Sequence, residues 1–377
     1  MIAREQITAK IEKALGRSRV VALLGPRQSG KTTLARAIAE KHHAAFYDLE
    51  DAIDLAKLTL AREVLGSHQG LVVLDEIQFR PDLLPLLRVL ADRKPLPAKF
   101  LILGSASPDI MRHASESLAG RVEFIEIQGL QLAETGTNTL HDHWNRGGFP
   151  LSYLANDEED SFVWRESFIR TFLERDLRAF GFHTSPHSMH RLWRMIAHSH
   201  GCQLNASELG RSLGESSPTI KRHLEILAGV FMVRLLEPWH ENLGKRLVKQ
   251  PKIYVRDSGL LHALLGVESY DELHGHPKCG ASWEGYCIEQ LIQHHSDATP
   301  YFWATQGGAE LDLLLVRRGK RHGFEIKYTE TPTTTKSMHI ALEDLQLDKL
   351  TVIHPGKDRY QLAEKIEAVP LSAMLDR

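Results

Sequence analysis

Apolar and polar positions alternate between two rhythms along this chain. Over the first third, short apolar runs at 20–24, 45–49, 71–74, 100–103 and 122–127 are bounded by polar residues, the signature of buried strands. Helical patterns separate most of them, the clearest at 33–40, so the expectation is a parallel sheet with crossover helices. From 158 to 180 the period lengthens. Phe162, Trp164, Phe168, Phe172, Leu173 and Leu177 fall on helical spacing, with Arg175-Asp176 near the end of the run, and these aromatics read as core. Gly147-Gly148-Phe149-Pro150 is the hinge before that helix.

Two shorter helical patterns follow at 206–214 and 219–227, joined through Ser216-Ser217-Pro218. Leu209, Leu213, Ile220, Leu224 and Leu227 point inward, and Ser207 and Ser217 are placed to cap the helix starts. With a strand at 230–236 opening a wing, the segment reads as a winged helix-turn-helix. Its second helix would expose Lys221, Arg222 and His223, and residues 244–256 add five basic side chains and no acid. That surface suits DNA phosphates, although the same module also serves as a protein-contact surface. Residues 301–327 then read as three strands with tight turns.

Composition narrows the picture only slightly. A chain of 377 residues suits two or three domains, and the patterns divide it at 1–135, 136–190, 191–255 and 256–377. A net charge of −2 excludes a uniformly basic nucleic-acid coat, so any such contact must be local. No apolar run reaches membrane-spanning length and no signal peptide opens the chain. The three cysteines form no C-x-x-C pair, and the expectation is a cytoplasmic protein. The histidine pairs His198/His200 and His274/His276 are candidate zinc ligands; solvated loop and helix histidines are the simpler reading.

The chemistry enters at residues 25–32, which read G-P-R-Q-S-G-K-T between a strand and a helix. This is the pattern G-x-x-x-x-G-K-[ST], in which backbone N–H groups and the positive end of a helix cradle nucleotide phosphates. Gly25, Pro26, Arg27, Gln28, Ser29, Gly30, Lys31, Thr32 and Thr33 are the candidate nucleotide contacts. Lys31 would reach the β and γ phosphates, and Thr32 would ligate Mg²⁺. The strand at 71–74 ends in Asp75-Glu76. Asp75 would hold the Mg²⁺ shell and Glu76 would polarise the attacking water. Ser105, ending the next strand, is a candidate γ-phosphate sensor or a plain turn residue. Arg121 would neutralise phosphate charge, in its own chain or a neighbour's, or else form a structural ion pair. No N-K-x-D guanine-reading motif follows, so ATP is favoured over GTP.

G-P-R-Q-S-G-K-T, L-V-V-L-D-E-I-Q, I-L-G-S and S-L-A-G-R together resemble the prokaryotic AAA-type P-loop ATPases that carry a C-terminal domain of unknown function. G-G-F-P at 147–150, K-R-L-V-K-Q-P-K at 245–252 and R-D-S-G-L at 256–260 fit the same family. The resemblance implies a cytoplasmic ATPase of the additional-strand class, with the phosphate-loop strand central in its sheet. It implies no cellular role.

The last third adds a second constellation. Asp312, then Glu325-Ile326-Lys327 after a spacer of twelve residues, resembles the D…E-x-K pattern of the restriction-endonuclease-like fold. Asp312 and Glu325 would hold Mg²⁺, Lys327 would assist a hydroxide, and Glu284 would supply the acid found on the first helix of many such nucleases. A silent domain whose polar triad is a salt-bridge cluster is the alternative.

The expected fold is α/β: an additional-strand P-loop sheet, a helical and winged-helix middle, and a restriction-endonuclease-like α/β domain. The expected function is a Mg²⁺-dependent ATPase coupling ATP state to a DNA-directed module with nucleolytic potential. The alternative is a nucleotide-driven protein-interaction switch. ATP is the expected partner, DNA through the winged helix, a protein partner and self-association are the others considered, and no membrane is expected.

Overall fold

The computed structural model describes residues 2–105, 114, 116–179, 182, 184–240 and 247–376. The chain divides into two compact units. The first comprises Met1–Leu130 with Gly229–Phe231, the second Gln131–Ala228 and Met232–Arg377.

In the first unit, strands β1 (Val20–Gly25), β2 (Ala45–Asp48), β3 (Gly70–Asp75), β4 (Ala98–Ser105) and β5 (Val122–Glu126) form one sheet in the order β2-β3-β4-β1-β5. Every neighbouring pair is parallel. Strand β4 therefore stands between the phosphate-loop strand β1 and the Asp75 strand β3, which is the additional-strand arrangement. Both faces are covered, so the strands are apolar at nearly every position instead of alternating. Val20 and Ala22 of β1, with Val72, Leu74, Phe100 and Ile102, pack on one face against Leu84 and Leu87 of helix α3 (Leu83–Ala91). Val21 and Leu23, with Val73, Leu101 and Leu103, pack on the other against Ile7 and Ile11 of α1 (Glu5–Arg17) and Leu34 and Ile38 of α2 (Lys31–His42).

The second unit begins with helices. They include α4 (Leu140–Arg146), α5 (Glu158–Thr171), α6 (Pro186–His198), α7 (Ala206–Leu213) and α8 (Ser217–Gly229). Helix α5 runs into a π turn at Phe172–Asp176, where the expected continuous α-helix widens. Two caps differ from expectation: Asn205, not Ser207, accepts from Glu208 N, and Ser216, not Ser217, accepts from Thr219 N. The hairpin β6 (Val233–Leu236) and β7 (Lys252–Val255) follows α8, antiparallel and in register Val233 to Val255.

The Gly-Gly hinge and the R-D-S-G-L stretch turn out to be mates. Asp257 caps helix α9 (Ser258–Leu265) by accepting from Leu260 N, and its other oxygen accepts from Gly148 N at 2.8 Å. A Cβ on Gly147 would meet Asp257 Oδ1 at 2.3 Å, and one on Gly259 would meet Arg146 O at 2.1 Å. Only glycine lets the two segments approach this closely. The buried Arg165 guanidinium seals the joint by donating to the carbonyls of Asn145 and Gly259.

The unit ends in a six-stranded mixed sheet. Its order is β12-β13-β11-β10-β9-β8, built from β8 (Thr299–Ala304), β9 (Glu310–Arg317), β10 (Lys320–Ile326), β11 (Lys349–His354), β12 (Tyr360–Ala363) and β13 (Ile366–Pro370). Strands β8, β9 and β10 are antiparallel; β10, β11 and β13 are parallel. Helix α10 (Cys279–His294) packs on one face with Trp283 and Leu291 against Phe302 and Phe324, and α11 (Lys336–Asp344) packs on the other with Met338 and Ala341 against Leu311 and Leu350.

Candidate functional site

Strand β1 delivers its chain to the phosphate loop at Gly25, and the loop turns into α2 through Gln28 and Gly30, both with positive φ. Gly25 is required by crowding: a Cβ there would lie 1.9 Å from Ile127 O. The Ser29 hydroxyl donates to Pro26 O across the turn, and the Arg4 guanidinium donates to the carbonyls of Ser29, Gln128 and Gly129. The loop is thus held from inside and from outside. Lys31 Nζ donates to the carbonyls of Gly25 and Pro26 at 3.0 and 2.6 Å. Burial pulls its pKa down to about 8 against the attraction of Glu76 and Asp75, and Arg27 adds to the fall.

Asp75 ends β3 fully buried. Burial raises its pKa, and the nearby Thr32 hydroxyl opposes the rise. The next residue, Glu76, adopts a left-handed backbone with φ 55°. Its N–H donates to Asp75 Oδ1 at 2.9 Å, and its carboxylate accepts from the Gln78 amide. Lysine, hydroxyl and two acids therefore converge at the C-terminal ends of β1 and β3, where open α/β sheets bind ligands. Arg27, whose guanidinium lies 3.8 Å from Glu50, is part-buried; Gln28 and Thr33 are exposed.

The other two candidates of this unit divide. The backbone of Ser105 ends β4 level with Gly25; its side chain lies outside the described residues. Arg121 sits at the opposite edge of the sheet, where its carbonyl accepts from Val20 N, about 17 Å of strand away from the loop. Its guanidinium pairs with Asp92 at 2.7 and 2.8 Å. The structure does not bring Arg121 to the loop of its own chain.

In the second unit, Phe324 pairs with Leu313, which places Glu325 beside Asp312. Asp312 Oδ2 accepts from Ile326 N at 2.8 Å, and Lys327 Nζ donates to Glu325 Oε1 at 2.7 Å. A second lysine enters from β7. Lys252 Nζ donates to Glu284 Oε1 at 3.2 Å, pairs with Glu310, and lies 3.9 Å from Asp312 Oδ1. Tyr254 OH donates to Glu284 Oε1 at 2.7 Å. Burial works against the Lys252 ammonium, but Glu284, Asp312 and Glu310 outweigh it and hold its pKa above that of ordinary lysine. Burial, then Glu325 and Glu284, push the Asp312 carboxyl well up; burial also raises Glu325, against Lys327. Among the described residues no three His, Cys, Asp or Glu side chains come together in a way that could hold a metal ion, the His pairs included. With an ammonium among its carboxylates, the donor set of Glu284, Asp312 and Glu325 does not fit a divalent ion in this arrangement.

Residues 17–136 match the family described as AAA domain, residues 137–271 one described as Domain of unknown function (DUF8612), and residues 279–374 one described as Domain of unknown function (DUF4143). Two curated relatives span the chain. They are "Uncharacterized protein Rv2008c" of Mycobacterium tuberculosis and "Uncharacterized protein Mb2031c" of Mycobacterium bovis. Each is 46% identical over 375 residues, covering 100% of this chain and 85% of the relative. The chain belongs to the AAA-type P-loop ATPases with a C-terminal domain of unknown function. Its fold is shared by the Walker-type ATPase PABY2304 of Pyrococcus abyssi, which is 17% identical with a TM-score of 0.51, over 70% of this chain and 96% of that one.

Several residues of the candidate sites escape sequence reasoning. Arg4 and Gln78 lie outside the loop pattern, and only tertiary contact reveals them. Lys252 and Tyr254 had a faint signal, a basic K-Q-P-K run leading into an apolar strand, and Glu310 stands two residues before Asp312 on one strand. The basic stretch itself is redistributed: Lys252 and Arg256 are buried in ion pairs with Glu284 and Glu289, while Lys245 and Arg246 lie outside the described residues. On α8, Lys221 and Arg222 are exposed, but His223 is buried, with Nε2 3.2 Å from the Thr184 hydroxyl. The helical turn carries it to the same side as Ile220 and Leu224, away from the solvent face expected for it.

Proposed function

We propose that this protein binds ATP with Mg²⁺ at the 25–33 loop, hydrolyses it, and uses its nucleotide state to govern a DNA-directed second unit. The observation that carries the reading is the buried Asp75 at the end of β3 beside the buried Lys31, whose ammonium is held on the loop carbonyls of Gly25 and Pro26, a carboxylate and an ammonium of the kind that grips a metal-bound triphosphate. Lys31 exchanges the loop carbonyls for phosphate oxygens, and the loop N–H groups take the remaining charge. Thr32 and Asp75 would hold Mg²⁺, which when bound would offset phosphate charge. Glu76, oriented by Gln78, accepts the proton of the attacking water. Ser105, at the end of the strand beside Gly25, senses the γ-phosphate. The exposed Lys221 and Arg222 on the second helix of the helix-turn-helix supply the DNA phosphate contacts.

A second reading concerns the mixed sheet, which resembles a nuclease domain in its Asp312…Glu325-Ile326-Lys327 pattern. Lys252 among its carboxylates favours a catalytically silent domain, and with it a nucleotide-driven interaction switch. Steady-state ATP turnover with and without duplex DNA, at low and moderate salt, tests the whole. Wild type is expected to turn over ATP and to be stimulated by DNA at low salt. Lys31→Ala loses turnover, and Lys221→Ala/Arg222→Ala keeps basal turnover but loses the stimulation. Turnover surviving in Lys31→Ala would overturn the ATPase site, and absence of DNA stimulation would leave the switch as the function.

A further inference from the structure

Lys252 opens β7 directly after Pro251, and the two-residue period of a strand puts it on the same face as Tyr254. Both side chains are buried, and both reach Glu284 of α10. Lys252 also reaches Glu310 and Asp312 of β9. Neither side of this contact is stable alone: a buried ammonium without carboxylates loses its hydration for nothing, and converging carboxylates without a cation repel. A second observation points into the same place. Glu325 is 6% exposed, its Oε1 accepts from Lys327, and its Oε2 is buried with no hydrogen-bond partner. Three carboxylates surround one ammonium and one oxygen of a fourth is unused; without the ammonium this would be the oxygen-rich environment that hard divalent cations take.

We propose that Glu284, Glu310 and Asp312 form a cation site whose resident cation is the Lys252 ammonium, and that a divalent cation enters, with Glu325 Oε2 as a further ligand, only when Lys252 is withdrawn. The inference rests on the silent reading of the mixed sheet. It also deepens it, because Lys252 belongs to the hairpin that follows the helix-turn-helix. In that hairpin Lys252 pairs with Leu236 of β6, and it bridges to Gln203 before α7.

The test is a Mn²⁺ titration of the full chain without nucleotide, read by the resonance of free Mn²⁺. Wild type, Lys252→Met and Lys252→Met/Asp312→Asn are compared, so that any binding elsewhere is common to all three. Lys252→Met is expected to gain one Mn²⁺ site, at least about tenfold tighter than anything at this position in wild type, and the double variant to lose it. Mn²⁺ should also raise the thermal midpoint of Lys252→Met alone. Lys252→Gln, polar and of similar length, serves in the same titration if the methionine variant does not fold. A wild-type Mn²⁺ site removed by Asp312→Asn would overturn the proposal, as would equal stoichiometry in all variants. Failure of the silent reading shows separately, as Mg²⁺-dependent plasmid cleavage by wild type that Asp312→Asn abolishes.

Discussion

Glu76 pairs an uncommon backbone with an oriented side chain. A left-handed conformation at a residue other than glycine costs about 1 kcal/mol or more, and such positions concentrate where chemistry needs them. Here it turns the carboxylate out of the line of β3, toward Gln78. Glu76→Gln keeps the shape and removes the carboxylate proposed as the base. It is expected to bind ATP normally in an equilibrium assay while turnover falls about 100-fold or more. Two histidines set a different residue-scale property. Burial drops the pKa of His200 and of His262 to about 3. His262 is held neutral by geometry, donating from Nδ1 to Asn145 O and accepting at Nε2 from Ser282. Because the folded pKa lies below the unfolded value near 6.5, the unfolded chain binds more protons between those limits. Stability is therefore full above about 6.5 and falls as pH drops toward 3. Denaturant unfolding at stepped pH should show that fall, and His262→Gln should flatten it by up to about 1.4 kcal/mol per pH unit.

Between elements, glycine decides what can touch. The contact of α9 with α4 is direct backbone on backbone, with the Gly259 position 2.1 Å from Arg146 O for any added carbon. No rotamer relieves a clash with a carbonyl. Gly259→Ala must separate the helices, and the expected loss is about 2–4 kcal/mol by denaturant midpoint. The glycines and Asp257 of G-G-F-P and R-D-S-G-L, far apart in the chain, are two halves of this one joint. Sequence reading located both stretches and assigned the first to a hinge; it had no means of pairing them.

At the scale of the molecule, each unit has its own cores, one pair on the faces of the parallel sheet and one pair on the faces of the mixed sheet. Differential scanning calorimetry is expected to resolve two transitions. Mg²⁺ with ATP should raise only the one that Lys31→Ala leaves unshifted by nucleotide, by several degrees at saturating ligand. Lys252→Met should lower the other, because it leaves buried carboxylates unpaired. A single transition moved by both would refute this division. No helix among the described residues is long and apolar enough to cross a membrane.

The sequence alone determined the phosphate loop, its flanking strand and helix, Asp75-Glu76 at a strand end, the two helices α7 and α8 and the three antiparallel strands that carry Asp312 and Glu325. All of these are local: a motif or a period written within a dozen residues, enforced by backbone geometry and burial over the same span. The tertiary structure alone decided which distant groups meet. Lys252 reaches Glu284 across 32 positions, and Arg121 lies one strand length from the loop because parallel β1 and β5 both start at its edge. His223 turns inward because its helix packs on that side. Such meetings depend on strand order, crossover and packing, which no window of residues encodes, and they fix whether an acidic group holds a metal or a lysine.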